Sequence, residues 1–106
     1  MLEERKKRYC VQVNYMFDSV ESPSNGLFWI YETESVDEDY DDSWNKVLKY
    51  ISQWFSYKNP GDIHNDNWIW FEEQEFNWEV EGMSQLNDNE WNVLIRQHVP
   101  QLRHEM

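Results

Sequence analysis

The chain has 106 residues, with nine Lys and Arg against 21 Asp and Glu and a formal net charge of −12. That length holds one domain with a single two-layer core. An aromatic content of 17%, with seven Trp, argues against the disorder of acidic chains that lack large side chains to bury. No apolar run nears the roughly 18 residues of a membrane span, the lone Cys10 excludes an internal disulfide or CxxC motif, and the charge disfavours nucleic acid and anionic lipid as direct partners. A cytoplasmic protein of the host-cell cytosol is expected.

Between Tyr9 and Phe17 the odd positions Tyr9, Val11, Val13, Tyr15 and Phe17 are apolar, the period of a half-buried strand. Ser22-Pro23-Ser24-Asn25-Gly26 is a turn signal, and the aromatic and β-branched run 27–33 completes an antiparallel hairpin. Ser35 and Glu38 have the spacing of a capping box, with Asp41, Asp42 and Ser43 as later caps. Tyr40, Trp44, Val47, Leu48, Ile51 and Phe55 then recur at helical spacing until Asn59-Pro60-Gly61 stops them, about five turns in all.

A polar loop over 62–67 leads to Trp68-Ile69-Trp70-Phe71, apolar on both faces, and to Phe76, Trp78 and Val80, which alternate with Glu75, Asn77, Glu79 and Glu81. These are one bent strand or two. Asn87 and Glu90 cap a short second helix carrying Trp91, Leu94, Ile95 and His98, which Pro100 ends. The expected fold is α+β, in the order ββαβ(β)α, with a small antiparallel sheet of three or four strands and two helices packed on one face. Residues 1–8 read as a flexible charged segment, 9–100 as the domain and 101–106 as a tail.

Catalytic and metal chemistry is represented only by fragments. Cys10 lies within a strand, where a lone cysteine acts as a small hydrophobe, and His64 with Asp66 lacks further ligands at metal spacing. A calcium loop starting at Asp37 would need Gly at Asp42 and Glu at Leu48. Glu72, Glu73, Glu75, Glu79 and Glu81 beside tryptophans have the composition of a sugar cleft, yet alternation puts the strand glutamates on the side opposite Trp78. No enzymatic activity, cofactor or metal is expected.

Charge segregation remains as a signal. Residues 18–42 hold nine acids and residues 59–95 nine more, without a single Lys or Arg in either window. Asp37, Glu38, Asp39, Asp41 and Asp42, if helical, carry one charge per about 1.8 Å, close to the roughly 1.7 Å of duplex DNA. The partner-binding set is therefore Asp37, Glu38, Asp39, Asp41, Asp42, Glu72, Glu73, Glu75, Glu79 and Glu81, with Trp68 and Trp70 as an apolar anchor. Mimicry of this kind requires both windows to share a surface.

In size, acidity and aromatic content the chain resembles the inhibitor proteins of phages and mobile elements, anti-CRISPR proteins and other DNA mimics among them; the resemblance is of overall character and rests on no motif. It implies a non-catalytic inhibitor, monomer or homodimer, that presents carboxylates in place of phosphates to a basic surface of a nucleic-acid-binding protein or nuclease. The alternatives are an immunity protein that neutralises a nuclease toxin, and an adaptor or carbohydrate-binding module that works through exposed aromatics.

Overall fold

The computed structural model describes residues 5–17, 26–54, 60–72 and 76–103. Phe55, Glu73, Glu75 and most of the first turn signal lie outside the described residues. Six strands form one sheet in the order β3-β4-β5-β1-β2-β6, with β1 at Arg8–Phe17, β2 at Gly26–Glu32, β3 at Asp62–His64, β4 at Trp68–Phe71, β5 at Phe76–Gln85 and β6 at Gln101–Leu102. The helices are α1, Tyr40–Trp54, and α2, Asp88–Arg96. The fold is α+β overall, but the expected sheet of three or four antiparallel strands is incorrect: the described residues form six, and β6 runs parallel to β2.

The odd residues Tyr9, Val11 and Val13 of β1 are buried as their alternation requires, together with Trp29, Tyr31, Ile69, Phe71, Trp78, Val80, Met83 and Leu102 from neighbouring strands. Val47, Leu48, Tyr50 and Ile51 of α1 close this core. Because α1 touches both edge strands, β3 and β6, the sheet curls around it. A bulge between Gln12 and Val13 in the β1–β5 register leaves Glu81 as the extra residue. The parity of β5 switches there, which explains how Val80 and Met83 both face inward.

The helices do not share a face. Arg8 and Tyr9 are neighbours on β1 and so point to opposite sides of the sheet. Tyr9 belongs to the α1 core, whereas the Arg8 guanidinium lies 4.8 Å from the centre of the Trp91 ring on α2. Trp91 is 5% exposed yet outside the main core, so α2 sits against the second face, at the end where Arg8 bonds Glu32 at 2.8 Å and Asp88 at 3.2 Å. Its capping box is present, Glu90 N–H donating to Asn87 Oδ1 at 2.8 Å and Asn87 N–H to Glu90 Oε1 at 3.0 Å. Ile95, expected inward, is 46% exposed.

Lys7 and Leu102 are tied into the domain. Lys7 N–H donates to Thr33 Oγ1 at 2.9 Å and its Nζ to the Glu38 carbonyl at 2.9 Å, and Leu102 of β6 is 1% exposed. No helix of the described residues is long and apolar enough to cross a membrane.

Candidate functional site

The half of the second face that no described helix covers gathers polar and aromatic side chains by strand register. Asn14 on β1 lies opposite Glu79 on β5, Glu79 opposite Trp68 on β4, and Trp68 opposite His64 on β3. These four make one row across four strands, with about 4.8 Å between neighbours. Asn77, Trp70 and Asp62 form a second row beside it.

Trp68 and Trp70 are half-buried, while Ile69 and Phe71 between and after them turn to the core. His64 stacks on Trp68 with ring centroids 4.5 Å apart. The exposed Glu81 carboxylate of the bulge accepts a hydrogen bond from Asn14 Nδ2 and is thereby drawn toward the same row. A Cβ at Gly26 would come 3.0 Å from Asn14 Oδ1, so glycine there leaves room for the Asn14 side chain.

Alternation does separate Glu79 from Trp78, but it places Glu79 on the same side as Trp68 and Trp70. The hairpin of β3 and β4 depends on Asn65 and Asp66, whose φ values of 52° and 60° fall where Asn and Asp are tolerated best. No Gly or Pro marks this turn, and β3 lies where a polar loop over 62–67 is expected. Of the positions outside the expected partner-binding set, Asp62 and His64 follow once the β3 pairing is known, and Asn14 and Asn77 hold polar steps in the β1 and β5 alternation. Asn14 was legible from the β1 alternation alone.

The first acidic window lies elsewhere. Asp37, Asp39, Asp41 and Asp42 are exposed at the start of α1, on the opposite side of the sheet from Trp68. Asp39 caps the helix, accepting from Asp42 N–H at 2.8 Å, which replaces the expected Ser35 cap. These four carboxylates therefore do not share a face with Glu79, although Glu32 of the first window and Asp88 of the second meet at Arg8 on the second face. Glu72 is exposed at the end of β4.

Glu38 is 4% exposed and turned inward. Its carboxylate accepts from Tyr31 Oη at 2.7 Å, Ser43 Oγ at 2.6 Å, Lys46 Nζ at 2.5 Å and Glu34 N–H at 3.3 Å. Burial opposes its ionisation, but these hydrogen bonds together outweigh burial and hold the carboxyl below its ordinary range. Glu38 is thus a structural anion joining β2 to α1 and is not available to a partner. Lys46 also bonds Glu34 at 3.1 Å.

Burial pushes the Cys10 thiol up, and the negative charge of Glu90 adds to this, so the thiolate is disfavoured. Among the described residues no three His, Cys, Asp or Glu side chains gather to hold a metal. No protein-family description, curated protein or solved structure matches the chain.

Proposed function

We propose that the protein is a non-catalytic acidic inhibitor that docks on a basic, nucleic-acid-binding surface of a partner protein, with the His64–Trp68–Glu79–Asn14 face as the contact. The observation that carries this reading is the placement of charge. Arg5 and Arg8 are engaged by Asp88 and Glu32, and Lys46 by Glu34 and Glu38. No ion pair among the described residues engages Asp37, Asp39, Asp41, Asp42, Asp62 or Glu79.

The division of labour follows from the geometry. Carboxylates at the α1 N-terminus lie away from the contact face, so they act through the long-range field, which raises association rates with a basic groove. On the contact face, Trp68 and Trp70 supply the desolvated apolar anchor that carboxylates alone lack, and indole rings also accept Arg and Lys cations. Asp62, Glu79 and Glu81 stand where Arg and Lys of the partner would otherwise hold phosphate.

Calorimetric titration with an arginine-rich peptide, from tens to several hundred millimolar salt, tests this reading. Affinity should fall on the order of tenfold over that range, since exposed charges are screened within about 8 to 10 Å at physiological ionic strength. An affinity that is flat in salt would overturn it. A second reading gains support from the same face: tryptophans flanked by Asn14, Asn77 and Glu79 have the chemistry to stack on a sugar ring and bond its hydroxyls, and binding of that kind would be insensitive to salt.

A further inference from the structure

The outer edge of β2 provides a second surface, independent of the contact face. Ile30 N–H donates outward to the Pro100 carbonyl at 3.0 Å, whereas Thr33 N–H donates inward to Lys7 O at 2.9 Å. Even positions of β2 thus direct their backbone groups away from β1, and Gly26 and Phe28 share that direction. β6 covers this edge only at Ile30 and Tyr31. Among the described residues nothing pairs with the outward N–H and C=O of Gly26 and Phe28.

The side chains along this edge are uncovered on both faces of the sheet. Leu27 is 37% exposed on the α1 side and Phe28 51% exposed on the other. Edge strands usually carry a Lys, a Pro or a bulge that blocks pairing with another chain, and none of these occurs over Gly26–Trp29. Residues 22–31 also contain no charged side chain, although Glu21 and Glu32 bound them. In a chain of net charge −12 this strip is where a second copy can approach without bringing carboxylates together.

We infer that two copies of this chain pair through the β2 edges, antiparallel about a two-fold axis at Leu27. Gly26 of one copy then lies opposite Phe28 of the other, each such pair exchanging both its backbone hydrogen bonds. Leu27 meets its own counterpart on the α1 side, and the two Phe28 rings are covered on the other.

Sedimentation velocity from micromolar to near-millimolar protein tests the inference. The mass should rise toward twice that of the monomer, and dimerisation should strengthen with salt because self-repulsion is screened. That trend is opposite in sign to the one expected for a basic partner, so the two readings fail separately. Phe28→Pro removes the outward N–H without touching the β1 bonds, and Phe28→Lys adds the missing edge charge and serves if the proline variant misfolds. Each should raise the dimer dissociation constant by about tenfold or more. Val93→Lys, on the exposed side of α2, should leave it unchanged. A monomer throughout, or a dimer that survives Phe28→Lys and is lost in Val93→Lys, would overturn the inference.

Discussion

Truncating Trp78 to alanine is expected to cost about 3–5 kcal/mol, a large part of the 5–15 kcal/mol typical of a domain. Trp78 is 6% exposed on the central strand β5, in the core that α1 closes, and its ring centroid lies 5.4 Å from that of Trp29. The cavity would open between two strands that the helix clamps from one side, where backbone pairing prevents collapse. Urea denaturation followed by circular dichroism measures the loss. Trp68→Ala is the matched control, because its ring is half-buried on the open face; a cost of about 1 kcal/mol or less is expected. Equal losses in both variants would place Trp68 in the core and remove it from the contact face.

Glu38→Ala is expected to destabilise by about 3 kcal/mol, since it strands the Tyr31 and Ser43 hydroxyls without their acceptor and leaves Lys46 with Glu34 alone. The pH dependence has a definite sign. Because the folded-state carboxyl of Glu38 is held below its unfolded value, its stabilisation is complete above the unfolded carboxyl pKa of about 4.3 and is lost as pH falls through the folded value. Wild-type stability should thus drop on acidification below about pH 4. In Glu38→Gln the curve should be flatter there, and the variant less stable at neutral pH. Parallel pH profiles for wild type and Glu38→Gln would show that the inward carboxylate is not what links β2 to α1.

The elements legible in the sequence are those whose burial is periodic and one-sided. The odd positions of β1 and the 3.6-residue stripe Val47, Leu48 and Ile51 read directly as core. The Asn87 capping box is local, and so it was visible too. What was not legible depends on contacts between distant segments. β6 is two residues long and exists only because β2 offers it an edge, and β3 exists only because Asn65 and Asp66 turn the chain back onto β4. The helix faces were misread because nothing within α2 says which side of the sheet Arg8 will offer to Trp91.

The candidate site shows the same division. Composition identified Trp68, Trp70, Glu79 and Glu81; register brings the first three together, and the Asn14 hydrogen bond draws in Glu81. Composition also grouped Glu38 with its exposed neighbours, although its partners Tyr31 and Lys46 come from different elements and draw it inward. The spread of acids along the chain could not show that Asp37, Asp39, Asp41 and Asp42 lie on the α1 side and Glu79 on the open side, since that depends on the path through the sheet.

The most direct measurement for the contact face is a nitrogen–proton chemical-shift map of the full chain during titration with an arginine-rich peptide. The largest changes should fall on the Trp68 and Trp70 indole N–H groups and on the backbone of Asn14, Asn77 and Glu79, and they should shrink as salt rises. Changes confined to Asp37, Asp39, Asp41 and Asp42, or spread evenly over the surface, would contradict the assignment of the open face as the place where a basic partner binds.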